Sequence, residues 1–285
     1  MIQFTPFSFN IKGSVKTFNL PLVMGILNVT PDSFYADSRT IDESAIRQRA
    51  RQMLEEGADI IDIGGYSSRP NAEEVSDDEE LKRVIKGIQI VKELNKDILI
   101  SIDTFRAKVA ATAVNDYGAD IINDISGGDL DPEMINVIPQ LKVPYIIMHM
   151  RGTPKTMSGL TDYRDVTGDV LAELRLKIES FSHAGVNDLI IDPGFGFAKT
   201  LEQNYSLLSH LELFHVFELP ILVGVSRKSM IYKALDTTPE AALTGTTVIN
   251  TIAMLDGASI IRVHDVKEAV EARKILQLTY NPHNS

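Results

Sequence analysis

Short runs of Ile, Val, Leu and Met recur along the chain, and each ends where polar residues gather. They occupy residues 20–27, 60–63, 98–102, 121–122, 143–148, 189–191, 221–225 and 259–261. The groups that follow are Asn28, Gly64-Gly65, Asp103, Asn123-Asp124, His149, Asp192, Ser226-Arg227-Lys228 and Arg262-Val263-His264. Helix-like segments separate most of them. Apolar runs this short and continuous read as parallel strands covered on both faces. Eight such units with polar downstream ends predict an α/β chain folded as a (β/α)8 TIM barrel, its site assembled at one rim.

The punctuation agrees. The segments around Gly57, Gly118, Gly185 and Gly257 each read as a helix ending at a glycine shortly before a strand. Asp42 and Ser76 are expected to cap the first two helices. Residues 1–19 fall outside the repeat: Phe7, Phe9 and Ile11 alternate, and Lys12-Gly13-Ser14 offers a turn. That predicts a β-hairpin capping the barrel floor. Residues 1–285 are therefore read as a single domain. Loops at 28–40, 64–76 and 149–165 are longer than connections require, which suits binding loops.

Composition narrows the chemistry. With no cysteine among 285 residues, thiolate nucleophiles, thiolate metal sites and disulfides are excluded. A net charge of −11 argues against nucleic acid or an anionic membrane as partner. No apolar run is long enough to span a bilayer and no signal segment opens the chain, so a cytoplasmic enzyme is expected.

The strand ends carry the candidate chemistry. Asp103 and Asp192 each close an apolar run, where a barrel strand delivers a side chain to the mouth. Capping the next helix is the plainer role for Asp103. Asp62 lies inside its run and is expected to be a structural, hydrogen-bonded carboxylate. Residues 224–229 join a strand to a helix start, where backbone N–H groups, Arg227 and Lys228 would attract an anion. Arg262 and His264 flank Val263 and share a side. With Asn28 and Arg69 they would embrace a diphosphate, and Asn28 would offer a carbonyl oxygen to Mg2+. His149 and His264 lack the spacing of a transition-metal site.

Taken in order, these strings resemble the dihydropteroate synthase family of pterin-binding barrels. The carriers are residues 24–34, Ile61-Asp62-Ile63-Gly64-Gly65 with 67–70, Ser101-Ile102-Asp103-Thr104, residues 122–128, and Met148-His149-Met150-Arg151-Gly152 with 154–157. Residues 192–199, 224–231 and 262–266 complete the set. The resemblance implies condensation of 6-hydroxymethyl-7,8-dihydropterin diphosphate with 4-aminobenzoate, giving 7,8-dihydropteroate and diphosphate in folate biosynthesis. It implies that Asp103, Asn123, Met148, Asp192, Phe197 and Lys228 hold the pterin. Asn28, Arg69, Arg262 and His264 would hold diphosphate, with Asn28 also toward Mg2+. Phe34, Ser68, Pro70 and Ser226 would form the 4-aminobenzoate pocket. Asp103, Lys228 and Asp37 would act in catalysis, Asp37 near the attacking amine. A dissociative mechanism, a sulfonamide target and a homodimer are further implications.

The chain departs from the family at Tyr66, where Glu is common, and at Ser68, where Thr is common. Residues 35–39 replace a glycine-rich string, which predicts a reshaped first loop. Other readings stand beside this one: a pterin-binding methyl-transfer domain, a silent pterin-binding homologue, or an aldolase with Lys228 as Schiff base. The last requires a depressed Lys228 pKa, which a neighbouring Asp192 is expected to prevent.

Overall fold

The computed structural model describes residues 4–30, 43–66 and 75–280. An antiparallel hairpin comes first, β1 (Phe7–Ile11) and β2 (Ser14–Phe18), in register from Phe7↔Phe18 to Ile11↔Ser14. Eight parallel strands follow: β3 (Leu22–Asn28), β4 (Ile60–Gly64), β5 (Leu99–Asp103), β6 (Ile121–Asp124), β7 (Tyr145–Met148), β8 (Leu189–Asp192), β9 (Leu222–Val223) and β10 (Ile260–Val263). Their order is β8-β7-β6-β5-β4-β3-β10-β9. A parallel bridge from Ile191 to Ile221 joins the two ends, so the sheet closes into a TIM barrel. Helices α1 (Glu43–Glu55), α2 (Asp77–Leu94), α3 (Ala107–Asn115), α4 (Met134–Leu141), α5 (Val166–His183), α6 (Leu201–Leu208), α7 (Ser229–Tyr232), α8 (Leu243–Leu255) and α9 (Val266–Tyr280) lie between and after the strands.

Alternation along each strand divides the apolar residues between two cores. Val23, Ile61, Ile63, Ile100, Ile102, Ile122, Ile147, Ile191, Val223, Ile261 and Val263 face outward into the helix layer. Gly25 also faces out, where a Cβ would lie 3.0 Å from Met53 Sδ and from a Val266 methyl. Met24, Ile60, Leu99, Ile121, Ile146, Ile190, Leu222 and Ile260 point inward. Phe9 and Ile11 of β1 are buried in this same inner cluster, so the hairpin covers the floor as expected. Its other strand is exposed apart from Phe18.

One step above this apolar level, the interior becomes polar. Asp62 pairs in register with Ser101, and Asp103 lies between Gly64 and Asn123. Met148 is opposite Asp192, while Arg262 is in β10 itself, beside Met24. The barrel thus has a greasy floor and a charged upper chamber.

Most expected punctuation holds. Gly57, Gly118, Gly185 and Gly257 all have positive φ, from 64° to 99°. The Ser76 side chain accepts from Glu79 N at the start of α2. Asp42 lies outside the described residues. The seventh barrel strand, β9, is shorter than its apolar run of 221–225, and the turn after it carries Arg227 at φ 55°.

Candidate active site

Arg262 organises the chamber. Its Nε donates to Asp62 Oδ2 at 2.6 Å and its Nη2 to Asp103 Oδ2 at 2.6 Å. Asn123 Nδ2 donates to the same Asp62 oxygen at 3.1 Å. Asp62 is fully buried, in keeping with a structural carboxylate. Two of the three guanidinium nitrogens are fixed, and among the described residues none accepts from Nη1. A planar fork pinned this way can still meet an anion.

Asp103 does not cap α3. Instead Thr104 Oγ1 accepts from Arg106 N at 3.2 Å and donates to Glu80 Oε1 at 2.6 Å. That releases the Asp103 carboxyl to the chamber, where burial pushes its pKa up to about 7. Arg262 opposes the rise, while Asp62, Glu80 and Asp124 add to it.

At the end of β8, Asp192 Oδ1 accepts from Gly194 N at 2.7 Å. Oδ2 has no donor among the described residues. Burial raises the Asp192 pKa, and Lys228 and Lys199 restrain the rise. Lys228 Nζ donates to the Phe195 carbonyl at 2.5 Å and lies 4.4 Å from the centre of the Phe197 ring. Burial pulls Lys228 down to about 8 despite the attraction of Asp192 and Asp103. The expectation that Asp192 would keep its pKa from falling is therefore wrong: desolvation outweighs the attraction of Asp192. Met148, Ile125 and Met150 form an apolar wall with Phe197 packed on it.

On the opposite edge, His264 N donates to Ser226 Oγ at 3.1 Å, and Nδ1 is 3.1 Å from the same oxygen. With Ser226 O–H donating to Nδ1, Nε2–H is the ring's remaining donor. Burial, then the Arg262 charge, depress His264 to about 4, so it is neutral near pH 7 and serves as a donor rather than a cation. Asn28 sits at the end of β3, and a Cβ on Gly64 would lie 3.3 Å from Asn28 Oδ1 and 3.7 Å from Asp103 Cβ. Asn28 and Asp103 are thus near neighbours.

Two expectations need correction. Arg227 does not contribute charge to the site. Its Nε and Nη2 donate to Asp265 at 2.9 and 2.8 Å, and Nη1 reaches the Pro239 and Glu240 carbonyls. The left-handed backbone at Arg227 turns its side chain away while Lys228 turns in. The helix that follows, α7, has only four residues, too short to provide much dipole for an anion. Phe34, Asp37, Ser68, Arg69 and Pro70 lie outside the described residues. Tyr66, the last described residue before 67–74, meets Phe105 edge-on at 5.2 Å, with the Arg106 guanidinium 5.6 Å from its ring.

A second polar group joins one strand-end residue, His149, to two that strand-end position does not reach, Lys199 and Glu173. Lys199 Nζ lies 3.0 Å from His149 Nδ1, and His149 Nε2 lies 2.9 Å from Glu173 Oε2. Its signals in the sequence are His149 at the end of the 143–148 run and a lysine five residues beyond Gly194.

The comparisons with known proteins point one way. Residues 24–264 match a family described as pterin binding enzyme. The dihydropteroate synthase of Synechocystis sp. is 46% identical over 89% of this chain and 88% of its own length. That of Escherichia coli K12 is 43% identical over 94% of this chain and 95% of its own. The crystal structure of Yersinia pestis dihydropteroate synthase with a sulfonamide drug superposes with TM-score 0.89 and 41% identity, covering 97% of this chain and all, 100%, of that one. The Xanthomonas albilineans enzyme with 4-aminobenzoic acid gives TM-score 0.89 at 36% identity, covering 97% and 99%.

Proposed function

The chain belongs to the family of pterin-binding enzymes, and from that premise we infer that it works as a dihydropteroate synthase. It is a transferase that joins 6-hydroxymethyl-7,8-dihydropterin diphosphate to 4-aminobenzoate and releases diphosphate. One observation supports this above others: Asp103, Asn123, Asp192, Lys228 and Arg262 share one polar chamber above an apolar floor.

The roles follow from donor and acceptor chemistry. A pterin edge offers N–H donors at its 2-amino group and N3, matching the unoccupied Oδ2 of Asp192. Its ring carbonyl accepts, matching Lys228. Asn123 and Asp103 meet the ring deeper in, and Met148 and Phe197 cover its apolar faces. Arg262 Nη1, His264 Nε2–H and Arg69 take the diphosphate. The C–O bond to diphosphate breaks first, and the dihydropterin spreads the resulting positive charge from the exocyclic carbon into its ring. Ionised Asp103 favours that cation. The aniline nitrogen of 4-aminobenzoate then forms the C–N bond and loses a proton, for which Asp37 is the proposed acceptor. Phe34, Ser68, Pro70 and Ser226 are the proposed 4-aminobenzoate contacts.

Magnesium fits the donors present. Among the described residues no three His, Cys, Asp or Glu side chains converge as a protein cage. Asn28 supplies a hard oxygen beside the proposed diphosphate site, and a Mg2+ ion commonly binds through few protein oxygens together with substrate phosphates and water. When bound, it would neutralise charge on the departing diphosphate.

The Yersinia pestis protein takes a sulfonamide and the Xanthomonas albilineans protein 4-aminobenzoic acid. We extend both to this chain, which makes it a sulfonamide target. A homodimer is proposed through the helix layer, where Val248 and Ile252 of α8 are exposed one turn apart. No helix among the described residues is long and apolar enough to cross a membrane, and the cytoplasm is the proposed compartment.

Calorimetry tests the assignment. 4-Aminobenzoate alone should give little heat, and clear heat once diphosphate and Mg2+ are present, because the anion completes its pocket. Equal heat in both titrations would contradict the shared site.

A further inference from the structure

The loop from 193 to 199 presents two groups to Lys228, the Phe195 carbonyl and the Phe197 ring. Gly194 and Gly196 take φ of 73° and 79° freely, but Ala198 is held at 49°, a conformation that costs a residue with a Cβ. Lys199 closes the loop from within. Its Nζ donates to the Gly194 carbonyl at 2.9 Å, to the Phe197 carbonyl at 3.1 Å and to His149 Nδ1 at 3.0 Å. The imidazole is buried and tied to the far side by Glu173, which Arg151 also grips at 2.5 Å. With Nδ1 accepting from Lys199, Nε2–H donates to Glu173, and one tautomer satisfies both neighbours.

We propose that Lys199 is a positioning residue: its ammonium locks the 193–199 loop onto the end of β7 and so aims Phe195 and Phe197 at Lys228. Lys199 itself touches neither Lys228 nor the proposed pterin position. This inference rests on the pterin site described above.

The charge of Lys199 is finely balanced. Burial pulls it down to about 7, against the attraction of Asp192 and Glu173. Lys228 and Arg151 push it the same way as burial. The neutral His149 faces it from just beyond β7, held down to about 4 mainly by burial. The lock is therefore charged below pH 7 and relaxes above it. A neutral amine still donates two hydrogen bonds but cannot satisfy three acceptors.

The test is pterin affinity by fluorescence at pH 6 and pH 8.5, in the full chain, for wild type, Lys199→Met and Glu173→Gln. Lys199→Met should bind about tenfold more weakly at pH 6, the size expected for a lost charged hydrogen bond. The deficit should shrink at pH 8.5, where wild type has itself lost the ammonium. A ratio that is constant with pH, or equal affinity, overturns the inference. Should Lys199→Met fail to fold, Glu173→Gln decides: losing a charge that favours the ammonium, it should bind more weakly than wild type at pH 6 and equally at pH 8.5. Affinity equal to wild type at pH 6, or a deficit that is the same at both pH values, overturns it. Wild type that binds no pterin at either pH sinks the site assignment and this inference together, whereas variants equal to wild type sink only the inference.

Discussion

Asp192→Asn is the substitution whose cost follows most directly from the geometry. The amide keeps the volume, and its oxygen can still accept from Gly194 N, now 2.7 Å from Asp192 Oδ1. The change falls on the other atom, where an N–H donor replaces the oxygen proposed to face the pterin's own donors. A charged hydrogen bond contributes roughly 1.5–3 kcal/mol, and a buried donor left without acceptor adds a penalty of similar size. The two overlap, so about 3 kcal/mol is a fair total, or roughly a hundredfold in pterin Kd. The substitution also removes the negative charge that raises the Lys228 pKa against burial. Lys228 then falls further below about 8, so the deficit should grow between pH 6.5 and pH 8. Fluorescence titration with pterin at both pH values measures this, with thermal melting as the control for folding. Affinity within threefold of wild type at both pH values would refute the placement of the pterin edge on Asp192.

Other outcomes follow from the same chamber. Arg262→Met should leave Asp62 and Asp103 without their shared partner and cost roughly 3–5 kcal/mol in urea unfolding, as breaking a buried pair does. The pH profile of kcat/KM should be a narrow bell. Asp103 must be ionised, which holds above about 7, and Lys228 charged, which holds below about 8. A flat profile from pH 6 to 9 would rule out those roles. Gly194→Ala should abolish pterin binding, since the new Cβ overlaps the His149 carbonyl oxygen at a φ of 73° that disfavours any side chain. Phe9→Ala should cost roughly 3–5 kcal/mol in thermal or urea unfolding, because its ring fills the floor of the barrel.

Much of this arrangement is legible in the amino-acid sequence. Apolar runs of strand length punctuated by polar ends imply the barrel, and alternation within them implies which side chains share the interior. Phe9 and Ile11 signal the hairpin because they are apolar at strand spacing outside the repeat. The partners of the interior side chains are not legible. Arg262 meets Asp62 and Asp103 only because β10 pairs with β3 and β3 with β4, and closure of this kind leaves no local trace. Arg227 and Lys228 look equivalent in sequence, yet one left-handed residue sends them to opposite sides. Lys199 is hidden for a related reason: its role comes from the loop folding back on itself and from His149, fifty positions earlier.

On the proposed function, one chamber holds a pterin ring while an anion leaves at its mouth. Supplying 6-hydroxymethyl-7,8-dihydropterin diphosphate with 4-aminobenzoate, and following 7,8-dihydropteroate by mass alongside released diphosphate, tests that most directly. The two products should appear in equal amounts, and both should fall sharply in Asp103→Asn and Lys228→Ala. Diphosphate without dihydropteroate, or full turnover in either variant, would contradict the account.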